Sequence, residues 1–184
     1  SRYLEIPSYK ECVQICKEHN AFSHSTQIWK GDKIESFKYN LITPNMWEGF
    51  GRLNMRGITF ANEAMVALPF PKFHNRGEVP ETTNVDFSKV KYIFEKLDGS
   101  LMTVFRVAED LEIKSMKSVE SEVSYNAREY LENRLDVYVF SEKLLDRGLS
   151  PMFEYVSNNN KIVLDYEEDL VFLGARSLLT GEIL

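Results

Sequence analysis

After Ser8, the residues Cys12, Ile15, Cys16 and His19 fall three and four apart, and Ser8 with Glu11 forms a Ser-x-x-Glu start signal. Residues 9–19 are therefore expected to be helical. The period then shortens to two. Residues 26–39 read as two short strands around Gly31-Asp32, and strand-like runs follow at 57–62 and 65–68. Pro69, Pro71 and the stretch 74–84 mark a loop. Beyond it, 91–96 and 101–107 are expected as strands separated by Asp98-Gly99, with a third at 111–115 pairing with the second. Residues 119–147 return to helical spacing as two helices with a break near 134–137, and Gly148 supplies a C-terminal stop. Strands resume at 152–157, 161–164 and 170–177, followed by a turn signal at Thr180-Gly181. Hairpin-type strands with grouped helices predict an α+β fold, rich in antiparallel pairing, instead of a doubly wound parallel sheet. The closing Glu182-Ile183-Leu184 reads as a strand without a partner, which is a first sign that the sequence is a fragment.

Composition narrows the function classes. A chain of 184 residues is long enough to bury a sizeable core, and 43% hydrophobic content with twelve Phe and nine Tyr excludes disordered, collagen-like and mucin-like proteins. No run reaches the roughly 18–20 apolar residues of a membrane span, and SRYLEIPSYKE lacks the apolar core of a signal peptide, so a cytosolic (cytoplasmic) protein is expected. Cys12 and Cys16 have no second Cys or His pair to complete a zinc site and read as half-buried structural thiols. His19, His24 and His74 are scattered and read as surface or core-edge residues. The formal charge is -6, from 22 basic and 28 acidic residues. Residues 1–80 carry 10 basic and 8 acidic side chains, and 81–184 carry 12 and 20. That balance argues against coating nucleic acid by charge alone and leaves room for a local basic cleft.

Several motifs are absent: a phosphate-binding P-loop, a Gly-x-Ser-x-Gly elbow and a His-Glu-x-x-His zinc motif. Gly49-Phe-Gly51 begins like a dinucleotide fingerprint, but Asn54 stands where the third Gly belongs. The informative stretch runs from Lys91 through Lys96-Leu97-Asp98-Gly99-Ser100 to Phe105. Read locally it is a hairpin with a solvated lysine. Read chemically, it presents an amine at the mouth of a cleft as a nucleophile, which works only where burial or nearby cations depress a pKa normally near 10.4.

Lys96-Leu97-Asp98-Gly99-Ser100 resembles motif I of the covalent nucleotidyl transferases, the superfamily of ATP-dependent ligases and mRNA capping enzymes. From about residue 37 to the end, the chain is more particularly similar to the bacteriophage ATP-dependent RNA ligases of the tRNA-repair type. Phe37-Lys38-Tyr39-Asn40 and Arg56-Gly57-Ile58-Thr59-Phe60 match segments whose tyrosine and arginine precede the motif I lysine, and Phe70-Pro71-Lys72-Phe73-His74-Asn75 nearly meets a third. Phe153-Glu154-Tyr155, continuing to Val163, looks like motif III. Two departures are visible there, with Asn158 in place of a proline and Lys161 in place of an arginine.

The resemblance implies an ATP-grasp-like nucleotidyl transferase core with grouped helices. Residues 1–36 would form an N-terminal helix and hairpin, and residues 37–184 the motif-bearing part of an adenylyltransferase domain. It implies Lys96 as the catalytic nucleophile, and Tyr39, Arg56, Lys72, Asp98, Gly99 and Glu154 as nucleotide-binding residues, with Glu154 also at the metal. ATP and Mg2+ are the implied cofactors, and RNA ends, those of tRNA among them, the implied partners. Adenine is expected against apolar or aromatic side chains near Tyr155 or Phe172. The family continues with a Glu-Gly motif IV and a two-lysine motif V, and neither is present, so the core is expected to be incomplete at its C-terminus. The alternative is a truncated or inactive module that binds ATP or RNA ends without completing ligation.

Overall fold

A computed structural model describes residues 1–73, 99–116, 118–157 and 168–184. Lys96, Asp98, the expected strands at 91–96 and 161–164, and the loop at 74–84 lie outside the described residues. Within them the fold is α+β, with two four-stranded antiparallel sheets and three α-helices.

The first helix, α1, spans Tyr9–Glu18. Its start follows from the capping box: the Glu11 N–H donates to Ser8 Oγ at 3.2 Å, and the Ser8 N–H donates to Glu11 Oε1 at 3.0 Å. The first sheet has the order β1 (Phe22–Trp29), β2 (Asp32–Tyr39), β3 (Ile58–Ala61), β4 (Ala64–Ala67). Cys12 and Ile15 of α1 pack on its outer face against Phe22, Phe37, Trp47, Ile58 and Phe60. Cys12 is fully buried and Cys16 only partly. Burial pushes the Cys16 thiol up to about 11, so both cysteines serve packing.

The second sheet has the order β6 (Asp110–Lys114), β5 (Gly99–Val107), β7 (Leu149–Val156), β8 (Asp169–Ser177). Its outer face carries Met102, Val104, Leu111, Ile113, Phe153 and Tyr155 and is covered by α2 (Glu122–Glu132) and α3 (Leu135–Asp146). The helix break falls at Asn133–Arg134, slightly earlier than the spacing suggested, and Gly148 closes α3 at φ +74°. The inner faces of the two sheets meet through Ile34 and Ala67 on one side and Phe105 and Val107 on the other. The layers are therefore helix, sheet, sheet, helices.

Two differences from the sequence reading have physical causes. β7 begins at Leu149, before Pro151, a residue that usually argues against a central strand. The Pro151 carbonyl still accepts from Thr103 Oγ1 at 3.3 Å. The closing residues are also paired: the Ser177 N–H donates to the Glu182 carbonyl, and the Leu184 N–H to the Ala175 carbonyl, each at 2.8 Å. Ile183 is buried against Tyr3, Phe70, Met152 and Leu173.

Three hairpins turn on two residues with positive φ, as type I′ geometry demands: Lys30-Gly31, Asn62-Glu63 and Ala108-Glu109. Ala108 and Glu109 gain nothing from that conformation, since neither is Gly or Asn. Replacing the pair by Asn-Gly is expected to stabilise the fold by about 1 kcal/mol, read as a higher urea midpoint with an unchanged slope. An unchanged midpoint would show that the turn carries no strain.

Candidate functional site

Antiparallel register decides which side chains face the space between the sheets. Leu101 pairs with Glu154, Thr103 with both Met152 and Lys114, and Phe105 with Glu112. Since Phe105 lies in the cluster joining the two sheets, Glu154, Lys114 and Glu112 share that inner face. Phe153 and Tyr155, on either side of Glu154, point outward to the helices.

Glu154 is fully buried, and among the described residues neither carboxylate oxygen has a hydrogen-bond partner. The other fully buried carboxylates are compensated. Glu112 is held by Lys30 Nζ at 2.6 Å and Arg128 Nε at 2.5 Å, and Glu35 accepts from Tyr9 Oη at 2.9 Å with Lys33 Nζ at 3.4 Å. Burial raises the Glu154 carboxyl from the usual value near 4.5 to about 7, so it stands near its titration midpoint at neutral pH.

Gly99 opens β5, one residue after the motif I aspartate, and pairs with Val156. A Cβ at this position would overlap Glu154 Oε1 and stand 2.7 Å from its Cδ and 3.0 Å from the Tyr155 carbonyl oxygen. The glycine is thus needed to make room for the Glu154 carboxylate. Sequence reading assigned Gly99 to the approach of a ligand, whereas here the close neighbour is a side chain of β7.

A second group forms on the first sheet. Arg56 Nη1 donates to the Pro71 carbonyl at 3.1 Å, and its guanidinium carbon lies 6.0 Å from the Tyr39 ring centroid. Arg56 Nε is buried without a hydrogen-bond partner. Tyr39 is braced edge-on by Trp47, with ring centroids 5.1 Å apart. The Lys72 N–H donates to the Leu53 carbonyl at 2.8 Å, and Lys72 lines a cavity of about 110 Å³ with Ser1, Arg2, Tyr3, Leu53 and Phe73. The structure thus brings Tyr39, Arg56 and the Lys72 segment together, and separately Gly99 and Glu154. Among the described residues, no hydrogen bond or ion pair joins the two groups.

A model of a family described as RNA ligase matches residues 54–182. The chain belongs to the RNA ligase family. It is 29% identical over 185 aligned positions to a protein of Thermovibrio ammonificans named "Putative RNA ligase", an alignment that covers 98% of this chain and 47% of that protein. The chain therefore spans about half the length of this curated relative.

The two aromatic residues near which adenine is expected both pack on the helical side of the second sheet. Tyr155 lies in the outer-face core and donates its hydroxyl to Glu168. Phe172 packs edge-on against Phe140 and Phe153, with centroids 5.0 and 5.6 Å apart, also on the helical side. Both residues face away from Glu154. One residue missed by sequence reading shares the Glu154 face: Lys114, 1% exposed. In Leu111-Glu112-Ile113-Lys114 the alternation reads as a strand with one solvated face, but both faces of this sheet are covered.

Glu154's partnerless oxygens fit a hard cation or a hydroxyl donor. Among the described residues no group of three or more His, Cys, Asp or Glu could hold a metal, so Glu154 would supply one ligand and a nucleotide's phosphates and water the others. The uncompensated carboxylate also has a stability consequence. Its folded pKa lies above its unfolded value, so stability falls as pH rises from about 4.5 to about 7 and stays low above that. Glu154→Gln is expected to be more stable than wild type at pH 8 by roughly 2–3 kcal/mol and nearly equal at pH 4.5. Urea melts at both pH values check this, and equal midpoints at pH 8 would mean that the carboxylate is compensated. No described helix is long and apolar enough to cross a membrane.

Proposed function

We propose that this chain is the motif-bearing part of an ATP-dependent RNA ligase that forms a covalent lysyl-AMP intermediate and seals 5′-phosphate and 3′-hydroxyl RNA ends in RNA repair. In this reading residues 1–36, with the N-terminal helix and most of the first hairpin, lead into an adenylyltransferase core at 37–184, the division falling within β2. The observation that carries this reading is Glu154, a buried carboxylate with no partner among the described residues, beside Gly99 on the strand that motif I leads into.

Lys96, as the free amine, attacks the α-phosphorus of ATP. A P–N bond forms, the P–O bond to pyrophosphate breaks, and the amine's proton is lost. The AMP group then passes to the 5′-phosphate of an RNA end, and a 3′-hydroxyl displaces AMP to close the strand. These are phosphoryl-type displacements, in which positioning and cancellation of negative charge supply most of the rate. Arg56 contributes a fixed charge with a planar fork suited to phosphate oxygens, its unsatisfied Nε being free to donate. Lys72 adds a second cation, and Tyr39 braces Arg56. Asp98 and Gly99 join Lys96 in the nucleotide site, and Gly99, at the start of β5, leaves room for the Glu154 carboxylate. Magnesium, when bound, supplies neutralisation of the phosphate oxygens, with Glu154 as its protein ligand.

Incubation with ATP and magnesium should add the mass of one AMP to the wild-type chain, and the adduct should be consumed when a 5′-phosphorylated RNA end is added. Nucleotide binding without an adduct would leave the chain as a binding module.

A further inference from the structure

Lys114 has no part in the chemistry above, and among the described residues its charge is uncompensated. Its ammonium donates to the Ser115 carbonyl at 2.7 Å, and no carboxylate among the described residues pairs with it. Lys38 is close enough to act on it: burial first, and then the Lys38 charge, push the Lys114 amine down to about 7. Lys38 follows Ile34 and Ser36 on the face of β2 turned toward the second sheet. A buried cation without a counter-charge is costly to enclose. Elsewhere the fold avoids this cost, since Arg176 is met by four oxygens and Glu112 by two cations.

The same sheet face carries the opposite uncompensated charge. Glu154 is level with Leu101 of β5 and Lys114 with Thr103, one strand away on either side, and the two make no ion pair. The Arg56 segment is near as well: a Cβ on Gly57 would lie 3.4 Å from Met116 Cα, two residues beyond Lys114. A ligand that combines phosphate oxygens with a divalent cation would satisfy both buried charges at once.

We propose that Lys114, with Lys38 beside it, is a polyphosphate-binding residue of this site, its ammonium taking phosphate oxygens while Glu154 faces the accompanying cation. The inference deepens the ligase reading and rests on it for the ligand, which is either a nucleoside triphosphate or the pyrophosphate released from it.

Calorimetry with magnesium pyrophosphate, magnesium ATP and a 5′-phosphorylated oligonucleotide tests it on wild type and Lys114→Met. The variant should bind the polyphosphates roughly 10- to 100-fold more weakly and the oligonucleotide unchanged. It should also melt at a higher temperature without ligand, because an uncompensated buried charge has gone. Weakening with both polyphosphates assigns the contact to the pyrophosphate moiety, and weakening with ATP alone to the bound nucleotide. Wild-type affinity for both in folded Lys114→Met, or a loss confined to the oligonucleotide, overturns the proposal. If Lys114→Met does not fold, Lys38→Gln reads the same receptor, and unchanged pyrophosphate affinity in it overturns the proposal equally. Lys114-dependent pyrophosphate binding by a wild-type chain that forms no AMP adduct would uphold Lys114 and overturn the ligase chemistry. Binding of neither polyphosphate by wild type overturns both.

Discussion

Lys96→Ala is expected to abolish the protein–AMP adduct, lowering its yield by at least roughly a thousandfold when protein, ATP and magnesium are incubated and the intact mass is read. The reason is chemical. Only an unprotonated amine can attack the α-phosphorus, and no other residue of the motif Lys96-Leu97-Asp98-Gly99-Ser100 offers one. Lys96→Arg should fail equally, because a guanidinium keeps its proton throughout the accessible pH range. ATP binding itself should persist in both variants, since phosphate contacts from Arg56 and Lys72 remain. An adduct of wild-type yield in either variant would remove Lys96 from the chemistry, and loss of binding together with the adduct would assign it a structural role.

The largest effect on stability is expected at Arg176→Met. Arg176 is fully buried on β8, and its guanidinium donates to the Gly181 carbonyl at 2.9 Å, Asn54 Oδ1 at 2.7 Å, the Pro69 carbonyl at 2.7 Å and the Tyr3 carbonyl at 3.0 Å. Methionine fills much of the volume and leaves four buried oxygens short of a donor, so the variant should lose roughly 3–5 kcal/mol. For a chain of this size that corresponds to a fall of about 10 °C or more in Tm. The site should suffer too, since Pro69 leads into Pro71, whose carbonyl fixes Arg56. A Tm within two or three degrees of wild type, by scanning calorimetry, would mean that water replaces the guanidinium.

The elements legible in the sequence were those with local causes. α1 could be read from Ser8 and Glu11, because a capping box lies within four residues, and the β5–β6 and α2–α3 pairs from periodicity. Motif order singled out Tyr39, Arg56, Lys72, Gly99 and Glu154 as candidates, and the structure sets Tyr39 with Arg56 at the end of β2 and Gly99 with Glu154 on the second sheet. What sequence could not give is set by pairing across long separations. The space that Gly99 leaves is defined by Glu154 on another strand, so no local pattern records it. Lys114 was not singled out, because burial on both faces is a property of the layered fold, absent from a run of alternating residues. Tyr155 and Phe172 were plausible ring platforms by type, yet register turns both toward the helices.

The reach of Arg176 also bears on how the chain folds. Its bond to the Tyr3 carbonyl joins residues 173 positions apart, and its bonds to Asn54 and Pro69 span 122 and 107. Contacts of such separation require most of the loop-closure entropy to be overcome before they form. The α1 layer and the β1–β2 hairpin can assemble early from local contacts. The segments flanking Arg56 and Lys72 are therefore expected to reach their final places only after β8 has docked, which amide-hydrogen exchange during refolding would read as late protection there.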